Sequence, residues 1–201
     1  MKHAETRRPL EKDKKNYPFD IKKYLTLRNI LIMFILVLFY FMFPSFVQPI
    51  ILIIIFYPIS LVSARVTKYV KYISAETITS FTVFLGYVYG WQWAVFFGFF
   101  LGFAIWSQTA LNQLTIVNCF TYLFAAVFGH LAAGWFPGNF VVGYLVAVTL
   151  RNILTVILFF FFNPDMIENI SHTLAEVITN TVFLPFFLNI LYNIVMAITP
   201  H

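Results

Sequence analysis

Charge is scarce in this sequence. Asp, Glu, Lys and Arg make up 10% of the residues, against 61% hydrophobic, and the mean hydropathy is +0.83. A soluble domain carries about 25% charged residues. The shortfall leaves too little polar surface to wrap a water-soluble globule, so lipid is the expected solvent. Cysteine is scarcer still. Cys119 stands alone, which excludes an internal disulfide and a thiolate metal cluster. In its apolar run it reads as a small buried residue. The histidines, at 3, 130, 172 and 201, form no HExxH and no close pair within an apolar run. No Asp lies inside a predicted span, which argues against a two-aspartate intramembrane protease. GxSxG and Gly-rich phosphate loops are missing too. These absences argue against an enzyme and give no reason to expect a cofactor or metal. No catalytic residue is assigned.

What the chain has is long apolar runs. ILIMFILVLFYFMF and ILIIIFYPISLV do not alternate apolar with polar, as barrel strands do. In lipid every backbone polar group must be satisfied internally, so these runs read as helices. The expected fold class is all-α, a polytopic transmembrane helical bundle. Spans are expected at about 29–43, 46–64, 75–90, 91–106, 114–134, 140–162 and 172–198. The third and fourth are short for a core about 30 Å thick, which takes roughly 20 residues. They read as a helical hairpin, a re-entrant pair or one interrupted helix, so the count is six or seven. Polar connectors fall at 107–113 and 163–171, the second with a chance-level Asn169-Ile170-Ser171 sequon, and WFPGN reads as a turn.

The net charge of +5 is concentrated at one end. Nine of the thirteen basic residues lie at or before Arg28, and Arg65, Lys68 and Lys71 lie between the second and third runs. Such an excess marks the cytoplasmic side. Residues 1–27 are therefore expected as a basic cytoplasmic tail, touching anionic headgroups and including a short interfacial helix near Tyr24. Residues 28–201 form the transmembrane domain. About 28 mostly polar residues precede the first apolar run, so a cleavable signal is not expected. No aromatic-interleaved basic stripe points to nucleic acid. The expected location is a cell membrane, multi-pass, with the N-terminus inside.

The thirteenth basic residue, Arg151, lies inside an apolar run. A central Arg costs about +2.5 to +3.5 kcal/mol to insert, and it needs a partner, water or a route to the interface. Glu76 and Glu176 are the carboxylates near span ends. Glu176 and Asn180 share a helix face at i and i+4. An Arg151–Glu176 pair is one reading of these residues, and a snorkelling Arg is another. Asn152, Asn189 and Asn193 complete a polar set in the last two spans. Asn118 and His130, twelve apart, read as separate interhelical contacts. Pro185 frees a carbonyl near Thr181 and is expected to kink the helix beside Asn180. The glycines all fall between residues 86 and 143. Gly86/Gly90 and Gly98/Gly102 are pairs four apart, which suits close packing of the third span on the fourth.

The segment FLGYVYGWQWAVFFGFFLGF resembles a pattern in the substrate-binding S components of energy-coupling-factor transporters. There a short span ends in a Gly-containing turn and a Gly-rich span follows. The resemblance covers roughly residues 75–195. It departs in the first span, which has no Ala-x-x-x-Ala motif for docking a coupling subunit. The rod-shape-determining membrane subunit of the bacterial elongation machinery is similar in size and layout. Two functions follow. The first is a small-solute-binding subunit of a multi-subunit transporter, with a site lined by Arg151, Asn152, Glu176 and Asn180. The second is a non-catalytic structural or assembly subunit of a larger membrane complex. The expected partners are the lipid bilayer, other membrane subunits and, on the first reading, a small-molecule ligand.

Overall fold

A computed structural model describes residues 31–32, 34–35, 43–69, 76–109, 113–162 and 173–199. The chain divides into two compact units, Met1–Met42 and Phe43–His201. In the first, Leu31, Ile32, Phe34 and Ile35 are helical and exposed. The expected basic tail, its interfacial helix, most of the first expected span, Lys71 and the 163–171 connector lie outside the described residues.

The described residues of the second unit are helical apart from short connections, with no strand among them. Helix α1 (Pro44–Tyr69) opens at the expected break, since proline fits a helix start. It runs past Ala64, so Arg65 and Lys68 sit in its last turns and not in a loop. Lys68 Nζ donates to the Thr109 backbone oxygen, and a cation at a helix C-terminus also suits the dipole.

Helix α2 (Ile78–Tyr89) ends at Gly90, whose φ of 96° turns the chain straight into α3 (Trp91–Val95). A π-helical stretch, Phe96–Leu101, leads on to α4 (Gly102–Thr109). Gly98 lies against Thr82 and Gly102 against Ile78. The falling register of one side against the rising register of the other makes these an antiparallel hairpin.

Helix α5 (Gln113–Trp135) and α6 (Phe140–Phe162) are joined by the expected turn, with Gly138 at φ 77°. The last helix, α7 (Thr173–Ile198), contains a π turn at Thr179–Phe183 before regular helix resumes at Leu184. Pro185 lies in the first turn after it. Proline has no N–H for the carbonyl four residues back, so widening the helix here is the low-cost answer. The expected kink is thus a π turn, and Asn180 lies inside it.

Helix α2 is the centre of the bundle. Every residue from Ile78 to Tyr87 is buried. The expected packing of the third span on the fourth is present at Gly98 and Gly102, and α5 is a second close neighbour, on which Gly86 packs. A Cβ on Gly86 would stand 2.7 Å from the Ala126 oxygen, and one on Gly129 would stand 2.6 Å from the Val83 oxygen. Each glycine lets the other helix's backbone approach. Around this contact the core is aromatic. Phe56 of α1 stacks on Phe81 at 4.0 Å, and Phe140 of α6 stacks on Tyr192 of α7 at 4.9 Å.

Four described helices are long and apolar enough to cross a membrane: Ser45–Tyr69, Thr115–Trp135, Phe140–Phe162 and Thr173–Ile198. In the last, 17% of the most apolar window is buried, so its outer face needs an apolar solvent. The architecture is compatible with an integral membrane protein. The third expected span is the 12-residue α2, roughly 18 Å long at 1.5 Å per residue, and is not one of the four.

Candidate functional site: a buried ion pair between the last two helices

The buried residues of α6 include Tyr144, Ala147, Val148, Arg151, Asn152, Thr155 and Phe159. They recur every three or four positions and form one inward stripe. Arg151 therefore points into the bundle because of its register, and it is 0% exposed. Its Nη1 forms a hydrogen-bonded ion pair with Glu176 Oε1 of α7. The same nitrogen donates to Asn152 Oδ1 at 3.2 Å, and Nη2 donates to Asn118 Oδ1 of α5 at 3.2 Å. The guanidinium also lies 5.4 Å from the centroid of the Tyr122 ring, within cation–π range. Taking each ion out of water costs several kcal/mol, which a pair repays only with good geometry and further hydrogen bonds. These partners supply them.

A second carboxyl joins the cluster. Glu76 precedes α2 and is 0% exposed. Its position is set from α1. Thr77 spends its hydroxyl on Ser60 and Ser63, both at 3.1 Å, and makes no side-chain cap on α2. Tyr122 donates its hydroxyl to Glu76 Oε1 and accepts the Trp106 indole N–H at 3.0 Å. Thr79 Oγ1 is 3.1 Å from Glu176 Oε1 and 3.5 Å from Glu76 Oε1, so its single proton lies between two acids. Among the described residues, the buried charged side chains are Glu76, Arg151 and Glu176. Two carboxyl groups face one guanidinium.

The four residues expected at the site are all buried. Arg151, Asn152 and Glu176 are directly bonded together. Asn180 lies one turn further along α7, in an adjoining set: it accepts the Ser80 hydroxyl on Oδ1, and its backbone oxygen accepts Tyr144 O–H at 2.8 Å. Asn189 is half-buried, and Asn193 and His130 are exposed. None of the three belongs to the cluster. Sequence reading missed Glu76 as a member, and it missed Thr79, Ser80, Trp106, Tyr122 and Tyr144 altogether. Some had a signal. Tyr122 is four residues from Asn118 and Tyr144 is seven from Arg151, both same-face spacings on a helix.

Six buried polar atoms have no hydrogen-bond partner among the described residues: Glu76 Oε2, Arg151 Nε, Asn152 Nδ2, Thr173 Oγ1, Glu176 Oε2 and Asn180 Nδ2. Buried polar side chains are nearly always satisfied, so this set is unusual in one place. Two of its owners, Asn152 and Thr173, line a groove of about 350 Å³ between α6 and α7, with Ile153, Val156, Ile157 and Val177 among its walls. Among the described residues no group of three or more His, Cys, Asp and Glu side chains is arranged to hold a metal. No family model, curated protein or solved structure matches this chain.

Proposed function

We propose that this chain is a multi-pass membrane protein that binds a small molecule at the Arg151–Glu176 cluster, as the binding subunit of a transporter does. The observation that carries this reading is the set of six unpartnered buried polar atoms on and around one ion pair. Each unsatisfied buried group costs about 1–3 kcal/mol. A purely structural cluster is expected to close on itself, as the Ser60–Ser63–Thr77 set does. A cluster with open donors on Arg151, Asn152 and Asn180 and open acceptors on Glu76 and Glu176 is suited to a partner with both kinds of group. The adjoining groove, about 350 Å³, falls within the roughly 300–1,000 Å³ of ligand pockets. The likeness of the Gly-turn-Gly segment to S components supports the same reading.

In this proposal the basic residues place the N-terminus and the Arg65–Lys68 end of α1 in the cytoplasm. The first apolar run, the α2–α4 hairpin and the four long helices then make six or seven membrane segments.

The test is purification in mild detergent followed by native mass spectrometry. A small molecule is expected to travel with the wild-type chain and to be lost from Asn180→Leu. A stable larger assembly of membrane subunits, with no small molecule, overturns the reading in favour of an assembly subunit.

A further inference from the structure

We propose that the ligand enters sideways from the bilayer through the α6–α7 groove, and that it is a single-chain amphiphile with a neutral carbonyl head. This rests on the binding function proposed above and names its ligand class.

The walls set the body of the ligand. Ile153, Val156 and Ile157 line the groove and are 53%, 46% and 48% exposed on a helix of membrane-crossing length. The groove therefore opens where hydrocarbon lies, and a strongly hydrated solute has no favourable path along it. Its volume, about 350 Å³, lies at the lower end of the range for ligand pockets, roughly 300–1,000 Å³. That suits one acyl chain better than two.

Two polar residues set the head. Asn152 and Thr173 line the groove at 5% and 6% exposure, and each has a polar atom with no partner among the described residues. Arg151 carries only donors, so the Asn152 oxygen must face it. The half of the amide left for an occupant is its NH2, a donor. The Thr173 hydroxyl is a second available donor. An occupant must bring an acceptor.

The surrounding charge decides between acceptors. Glu76 and Glu176 together face Arg151 alone, and Arg151 is already paired. Among the described residues no unpaired buried cation remains to neutralise an added anion, so a neutral ester or amide carbonyl fits better than a carboxylate.

The experiment uses the full chain in phosphatidylcholine nanodiscs and a monoacylglycerol with a photoactivatable diazirine in its chain. Cross-links are mapped by mass spectrometry. Labelling is expected to concentrate on residues 149–157 and 173–181 and to be competed by unlabelled monoacylglycerol. Val156→Trp, which fills the groove from an exposed position, is expected to abolish it. Val182→Trp, exposed on α7 and outside the groove lining, is expected to leave it intact. Asn152→Leu keeps the volume and removes the donor, and is expected to weaken competition by about tenfold. Labelling spread evenly over the lipid-facing helices, or equal in Val156→Trp and Val182→Trp, overturns the proposal. A polar molecule that co-purifies equally with wild type and Val156→Trp sinks this inference and leaves the binding function standing. Groove labelling unaffected by Asn180→Leu, with no co-purifying molecule, does the reverse.

Discussion

Glu176 of α7 and Arg151 of α6 meet as an ion pair with neither side chain exposed. Removing one partner of such a pair leaves an uncompensated buried charge and costs about 3–5 kcal/mol, whereas replacing both with apolar groups is close to neutral. Arg151→Met is therefore expected to destabilise the chain by that amount. Adding Glu176→Leu is expected to recover a large part of it, giving a coupling energy above about 1 kcal/mol in the double-mutant cycle. The lone Cys119 is 2% exposed and supplies the readout. Its reaction with a maleimide on heating in detergent reports unfolding. If the double variant is as unstable as the sum of the singles, the pair is not an energetic unit.

Two glycines at the α2–α5 contact should be intolerant for the same reason. Gly86→Ala and Gly129→Ala each drive a methyl to within 2.7 Å and 2.6 Å of a backbone oxygen on the facing helix. Backbone cannot step aside as a side-chain tip does, so each is expected to cost about 1–3 kcal/mol. Gly134, also on α5, has nothing within 4 Å of the place a methyl would occupy. Gly134→Ala is expected to be neutral or to stabilise by up to about 1 kcal/mol through helix propensity. Thermal scans of the three variants, run side by side, separate close approach from a general dislike of change in α5.

How much of this was legible in the sequence depends on range. The helices α1, α5, α6 and α7 follow from runs of apolar residues, because lipid leaves a backbone no other way to satisfy itself. The turns at Gly90 and Pro137-Gly138 follow from local conformational rules. The Arg151–Glu176 pair was one expected arrangement, since an ion in hydrocarbon must find a counter-ion. What was not legible is the company around it. Glu76 reaches the cluster because Thr77 is held by Ser60 and Ser63 of α1. Nothing in the local sequence records that tie. Likewise, a glycine pair reports that some backbone comes close and does not say which, so α5 was missed as a second partner of α2.

Tyr122 tests whether the network is held by hydrogen bonds or by packing. Its hydroxyl serves Glu76 and Trp106 while its ring lies under Arg151. Tyr122→Phe keeps the ring and leaves a carboxyl oxygen and an indole N–H without that partner. The expected loss is about 1–3 kcal/mol. Tyr122→Phe combined with Trp106→Phe removes one of the two stranded groups, so the second change is expected to cost less in that background than alone. Tryptophan emission of the single variant is expected to shift as its N–H partner is lost. Strict additivity of the two changes argues that the hydroxyl does not link these residues.

Asn118 and His130 look alike in the sequence, each a polar residue within apolar α5, and the structure separates them. Asn118 is 2% exposed and accepts from Arg151 Nη2. His130 is exposed and lies outside the cluster. A hydrogen bond to a charged group is worth about 1.5–3 kcal/mol, so Asn118→Ala is expected to lose that much. It is also expected to be less harmful in the Arg151→Met background, where the donor is gone. His130→Ala is expected to stay within about 0.5 kcal/mol of wild type, as surface changes do. The two can be compared directly by thermal unfolding in the same detergent. Equal losses for both, or an Asn118→Ala cost that is the same with and without Arg151, mean that α5 takes no part in holding the guanidinium. The cluster then reduces to a contact between the last two helices.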